Sequence, residues 1–248
     1  MSCGWNCKDF IEQTLASIEM QSADNWSVRI VYDGGDGGEE LIRKWCDSRD
    51  DRWQYVINKE PHPHENPVTN RVDAAYVSTD DPEDVLIWLD LDGDCFTHPD
   101  VLKHLMDYYA DGTLLTYGSY LPDPPDEGCS MAQPFPDEVA ADNSFRSFVL
   151  YGGGASFNHL RTMKSKVAQA IPLDQFKWTD GRGWYTAGID YLFTIAALEL
   201  IGPKYRCITE TLMLYNTANP NAAWRLFASD LDDCIIDFLK KPPLQRLF

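Results

Sequence analysis

The chain has no Cys-x-x-Cys pair, no long apolar run, no internal repeat and few cations. Seven cysteines, an odd number, are scattered at positions 3, 7, 46, 95, 129, 207 and 234. That spacing argues against a disulfide framework or a zinc site and for reduced thiols. No apolar stretch approaches about 18 residues, which excludes an obvious membrane-spanning helix. The amino end also lacks the basic-then-apolar layout of a signal peptide. A soluble, cytoplasmic protein is the expectation. Twenty-one Lys and Arg stand against 39 Asp and Glu, a formal charge of −18. Such a chain repels polyanions at long range and offers no footprint for duplex nucleic acid. The basic cluster near the carboxyl end, Phe238 to Phe248, alternates Lys240, Lys241 and Arg246 with apolar residues. It reads as a helix end and a tail packed on the body.

What is present is a segment of unusual composition, VLIWLDLDGD, Val85 to Asp94. Val85 to Leu89 reads as a buried strand of a parallel sheet, running into acids at Asp90, Asp92 and Asp94. In open α/β sheets ligands bind beyond the carboxyl ends of the strands. Acids crowded there repel one another unless solvent or a cation compensates. Two carboxylates plus phosphate oxygens suit Mg²⁺ or Mn²⁺, hard ions that take few protein ligands. A metal–diphosphate site is one reading, and a solvated turn is the other. An EF-hand loop is excluded, because counting from Asp90 puts Cys95 at the glycine position and Val101 at the glutamate position. A phosphatase of the haloacid-dehalogenase type, with Asp90 as nucleophile and Asp92 beside it, remains an alternative.

Around this segment β and α patterns alternate. Asn6 and Asp9 suggest a capping box before a helix with Ile11, Leu15 and Ile18 on one face. A strand at Val28 to Tyr32 empties into DGGDGG, Asp33 to Gly38. A helix over Glu39 to Trp45 and a strand at Trp53 to Ile57 follow. His62 and His64, in a proline-rich loop, read as surface rather than a metal pair. Helices are expected from Pro67 and from Pro99. A strand spans Leu114 to Tyr120, and YGGGA, Tyr151 to Ala155, reads as a close-approach turn. Arg161 to Ala170 reads as a helix. Lys177 to Gly188, rich in glycine, aromatics and cations, has the composition of a flap. Helices at Ile189 to Leu200 and from Asn221 flank a strand region at Cys207 to Tyr215. The pattern predicts an α/β fold with a mostly parallel central sheet, as a single domain over 1–248 whose second half, 121–248, is less regular.

The chain resembles the family-2 glycosyltransferases of the GT-A fold at several spaced motifs. Asn6 to Gln21 is similar to that family's first helix, and RIVYDGGDGG to its strand and Asp-rich turn. Tyr32 stands in place of the first of the paired acids there. Asn70-Arg71 resembles the start of the next helix. LDGDCFTHPDVL is similar to the Asp-x-Asp segment and makes Asp92 and Asp94 that pair. GIDYLFTIAALELIG, Gly188 to Gly202, resembles the segment bearing the catalytic acid. Asn216 follows Tyr215 where many relatives have a histidine.

The resemblance implies an inverting, metal-dependent transfer from a nucleoside-diphosphate sugar, UDP-linked, to an acceptor hydroxyl. Within it, Trp5 would stack on the base, Asp33 would accept a base N–H, and Arg71 would lie near the nucleotide. Asp92 would sit near the ribose and the metal, and Asp94 would bind the Mn²⁺ or Mg²⁺. Asp190 would be the general base, with Arg182 or Lys177 meeting the leaving phosphate. The acceptor is open: a glycan, a lipid-linked sugar, a protein, a small molecule or a modified nucleic-acid base. A non-catalytic nucleotide-sugar binding module is the third reading.

Overall fold

The computed structural model describes residues 1–58, 66–125, 131–152, 157–226 and 228–248. Its first sheet holds three parallel strands, β1 (Ser2–Gly4), β2 (Val28–Tyr32) and β3 (Trp53–Ile57), in that spatial order. Four of the five residues of the central β2 are buried, whereas β3, at the edge, exposes Gln54 and Val56. Helices α1 (Ile11–Glu19) and α2 (Gly38–Asp47) follow β1 and β2. The buried side chains Ile11, Leu15 and Ile18 of α1 and Ile42 of α2 join β2 in one core cluster. Asn6 does not cap α1. It has φ 49°, Phe10 occupies the cap position, and the turn before α1 is bound instead by Asp36, whose Oδ2 accepts Lys8 N–H at 2.7 Å.

Helix α3 (Asn66–Val77) leads to β4 (Val85–Ile87), and β5 (Cys95–Phe96) and α4 (Val101–Tyr109) follow the acidic segment. The remaining strands are β6 (Leu115–Asp123), β7 (Asn158–Lys164) and β8 (Tyr205–Asn216). The second sheet has the order β4-β7-β6-β8-β5; only β6 and β8 pair in parallel. The parallel pairing of the first half is thus joined to a mixed sheet.

The Val85–Asp94 segment links the two. β4 pairs with β7, and the chain beyond it then runs beside β1. Met1 N donates to Ile87 O at 2.8 Å, Leu89 N–H to Met1 O at 3.2 Å, and Leu91 N–H to Cys3 O at 2.9 Å. The acids therefore emerge where both sheets meet.

Residues 161–164, expected as helix, are strand, and the helix α7 is only Ser165–Ala170. Apolar spacing cannot reveal that this stretch lies between β4 and β6. There Thr162 Oγ1 lies 2.6 Å from both Tyr109 Oη and Thr116 Oγ1, a buried polar cluster that helical backbone would break. Long-range pairing overrides local propensity here.

Short helices α5 (Asp137–Ala141) and α6 (Phe145–Leu150) precede β7. Helix α8 (Ile189–Ile201) is apolar on nearly every face and buries eleven residues, as a central helix must. One of them is Glu199, held by Arg146 through Nε–Oε1 at 2.6 Å and Nη2–Oε2 at 2.9 Å. Removing one member strands the other charge in the core. Arg146→Met is expected to cost about 3–5 kcal/mol in urea unfolding, with Arg146→Met/Glu199→Leu recovering most of it. The chain ends with α9 (Ala223–Leu226) and α10 (Ala228–Leu239). The basic tail packs on the body as expected: Leu247 N–H donates to Leu200 O at 2.8 Å and Arg246 Nη2 to Ala140 O at 2.6 Å.

No described helix is long and apolar enough to cross a membrane. Among the described cysteines, Cys3, Cys7, Cys46, Cys95, Cys207 and Cys234 are free thiols. His62, His64, Cys129 and most of YGGGA lie outside the described residues.

Candidate functional site

The acidic turn is gripped from below by α1. Thr14 Oγ1 donates to Asp90 O at 3.3 Å and accepts Gly93 N–H at 3.2 Å, and Gln13 Nε2 donates to Gly93 O at 3.3 Å. Gly93 has φ 105°, and a Cβ there would sit 2.4 Å from Asn216 Nδ2, so no other residue fits the turn. The result brings one carboxylate oxygen each of Asp90, Asp92 and Asp94 within 4.8 Å of one another.

These three acids are not equivalent. Asp90 is ion-paired with Arg71. Asp94 is fully buried and accepts Asn216 N–H on Oδ1 at 3.0 Å. Asp92 Oδ1 and Asp94 Oδ2 are buried with no hydrogen-bond partner. Burial first, then the neighbouring carboxylates, pushes the Asp92 and Asp94 carboxyls upward. Two orphaned buried carboxylate oxygens side by side are what a divalent cation satisfies, so the residues present fit Mg²⁺ or Mn²⁺. Asn216 acts through hydrogen bonds. Its backbone N–H holds Asp94, and its side-chain amide holds the carbonyl of Asp92.

Asp33, at the carboxyl end of β2, is also buried, and its two oxygens accept Asn58 Nδ2 at 2.5 Å and Asn70 Nδ2 at 2.8 Å. Asn58 escaped the sequence reading, although it stands directly after β3, at the sheet edge where ligands bind. Tyr32, in place of an acid, donates to Asp36 Oδ1 at 2.6 Å and so braces the glycine-rich turn.

Asp190 lies in the first turn of α8, after Gly188 at φ 73°. Its Oδ2 is ion-paired with Arg161, and His159 Nε2 stands 3.6 Å away. Arg161 is fixed in turn by Phe157 O, which accepts Nε at 3.2 Å and Nη2 at 3.1 Å. Burial would raise the Asp190 carboxyl, but the charges of Arg161 and Arg71 outweigh it and hold the group well below the usual carboxylate range. Burial, reinforced by the Arg161 charge, pushes His159 down to about 4, so its ring is neutral. Neither His159 nor Arg161 was anticipated. Two residues apart on one strand they share a face, a signal masked by reading the stretch as helix.

One cavity of about 310 Å³ is lined by Trp5, Asp33, Arg71, Asp92 and Asp190, together with Asp90, His159 and Arg161. Asp94, fully buried, does not line it. A larger cleft of about 610 Å³, among Trp26, Arg29, Arg52 and Lys164, contains none of these residues. Arg182 and Lys177, suggested for the leaving phosphate, are not brought to the cavity. Arg182 stacks over Trp178 at 3.8 Å and pairs with Asp180, and Lys177 lies over Trp184 at 4.8 Å.

Acids at the carboxyl ends of a Rossmann-like sheet, a mixed second sheet and an acid opening a buried helix together define the GT-A architecture. Residues 3–139, more than half of the chain, match the sequence profile of glycosyl transferase family 2. The chain belongs to that family. Among solved structures it is similar to S. aureus TarS 1–349 in complex with UDP, with a TM-score of 0.61 at 11% identity over 95% of this chain and 63% of that one. It is also similar to TarS 1–349 in complex with UDP-GlcNAc, with a TM-score of 0.58 at 10% identity over 89% and 58%. The mannosyltransferase PcManGT from Pyrobaculum calidifontis, in complex with GDP-Man and Mn²⁺, gives 0.55 at 14% identity over 96% and 61%. The chain thus spans less than two thirds of the length of these proteins. No curated protein matches it by sequence.

Family and fold set aside the phosphatase alternative.

Proposed function

We propose that the protein transfers a sugar from a nucleoside-diphosphate sugar, UDP-linked, to an acceptor hydroxyl with inversion at the anomeric carbon. The observation that carries this is the single cavity in which Trp5, Asp33, Arg71 and Asp92 meet Asp190. Trp5 offers a stacking face for the base, and stacking tolerates any base. Asp33, held by the Asn58 and Asn70 amides, would accept a base N–H. Arg71, already paired with Asp90, presents its charge toward the nucleotide. Asp92 and Asp94 would hold Mn²⁺ or Mg²⁺, which when bound supplies Lewis-acid stabilisation of the departing diphosphate.

Asp190 takes the proton of the attacking hydroxyl. The acceptor O–C1 bond forms as the bond from C1 to the diphosphate oxygen breaks, and the electron pair leaves with the diphosphate. One displacement inverts the centre. Arg161 keeps Asp190 ionised and weakens it as a base. A weak base suffices once the new bond has begun to form, because the attacking oxygen then becomes strongly acidic.

Arg161→Met should let the Asp190 carboxyl rise toward, or above, its ordinary value. The acid limb of the kcat/KM profile is then expected to move upward by about 1–3 pH units. An unmoved limb would detach Arg161 from the proton transfer. The reading as a whole is tested by thermal shift against nucleotide-sugars with and without Mn²⁺, followed by a turnover assay with the best binder. Stabilisation by a UDP-sugar with release of UDP supports transfer. Binding without any turnover points to a nucleotide-sugar binding module.

A further inference from the structure

A nucleoside-diphosphate sugar is polar from base to sugar, yet part of the cavity wall is aliphatic. Ala187, Ile189, Ala222, Leu231 and Ile235 line the same space as the acids and arginines. The two kinds of residue come from different parts of the fold. Trp5 and Asp33 follow β1 and β2, Arg71 lies on α3 and Asp92 in the acidic segment after β4, whereas the aliphatic residues come from the start of α8 and the residues just before it, the loop after β8, and α10. Leu231 and Ile235, four apart on α10, share one helical face and are half-buried. They lie directly over the entry to α8: a Cβ on Gly188 would be 3.0 Å from Leu231 Cδ1 and 3.5 Å from Ile235 Cγ1. Asp190 follows two residues later.

The aliphatic wall therefore adjoins the carboxylate that takes the proton, where an acceptor hydroxyl must lie. We infer that the acceptor carries its hydroxyl on an aliphatic body, which packs against the half-buried Leu231 and Ile235. This rests on the transferase reading above and adds the chemical class of the acceptor. The formal charge of −18 agrees with it, since a polyanionic acceptor would be repelled. An aliphatic body is common to a small alkyl aglycone and to a lipid, and the test separates the two.

The donor giving the fastest UDP release is held at saturation with Mn²⁺, and n-alkyl glucosides from methyl to octyl are added below their micelle concentrations. Binding is read as the concentration that half-changes UDP release, whether the glycoside is glycosylated or only excludes water. That concentration is expected to fall about three- to fourfold per added methylene. A plateau before octyl marks a small aglycone. A continuous fall, with faster UDP release when octyl glucoside is carried in phosphatidylcholine vesicles, marks a lipid; either supports the inference. Leu231→Asn and Ile235→Asn should each flatten the dependence on chain length, and the wild-type series decides the matter even where a variant fails to fold. Steady UDP release with no dependence on chain length overturns the aliphatic acceptor and leaves the transferase reading intact. No UDP release from any nucleotide-sugar overturns both.

Discussion

Asp190→Asn is expected to bind the donor like the wild type and to transfer sugar about 10²–10⁴-fold more slowly, the range that a positioned general base contributes. The variant preserves shape. An asparagine carbonyl can still accept from Arg161, so α8 and the Phe157–Arg161 contact stay in place, and what is lost is the negative charge and the proton acceptor. The loss should therefore fall on kcat, with the donor KM nearly unchanged, the pattern of an interaction made only in the transition state. Rapid-quench measurement of one turnover, beside calorimetric donor binding, separates the two. Full single-turnover activity in the variant would move the base elsewhere, and His159, neutral and 3.6 Å from Asp190, would be the next group to test.

Asp94→Asn should act in two opposite directions. With Mn²⁺ present, donor affinity should collapse, because one of the two carboxylates with an unpartnered oxygen is gone. Without metal, the variant should be more stable than the wild type at pH 8. Burial and mutual repulsion raise the Asp92 and Asp94 carboxyls above their unfolded value of 3.8, to about 7 for Asp92. A raised carboxyl binds its proton more tightly folded than unfolded. Its stabilising contribution is complete below the unfolded value and is lost as pH rises through the folded one. The wild type should thus weaken relative to Asp94→Asn between pH 4 and pH 8, with the two converging at the acid end. Mn²⁺ at about 100 times its dissociation constant should restore the wild type by about 2.7 kcal/mol, or about 5–10 °C in Tm. An equal Mn²⁺ shift in the variant would show that the ion binds without Asp94.

The acids of the site were legible because each lies in a short local motif: Asp33 at a strand end before glycines, Asp92 and Asp94 at another, and Asp190 opening an apolar helix. Their neighbours were not. Arg161 and His159 became visible only when residues 158–164 proved to be a strand between β4 and β6, a fact of distant pairing that no local spacing encodes. The contribution of Asn216 was hidden for a related reason. It reaches Asp94 across more than a hundred residues, through the pairing of β5 with β8. Asn6, by contrast, looked like a helix cap from its spacing to Asp9, but Phe10 holds the cap position and Asp36 accepts the Lys8 amide. Lys177 to Gly188, which resembled a flap in composition, brings Thr186, Ala187 and Gly188 to the cavity, while its cations lie against Trp178, Trp184 and Asp180.

The stitching of Val85–Asp94 to both sheets gives the molecule a built-in reporter. The Leu89 and Leu91 amides bond to Met1 and Cys3 and lie within the stretch that ends in the acids. Deuterium uptake at these two positions should therefore slow whenever the cavity fills, so occupancy of the site can be followed by mass spectrometry on unlabelled protein before any substrate is known.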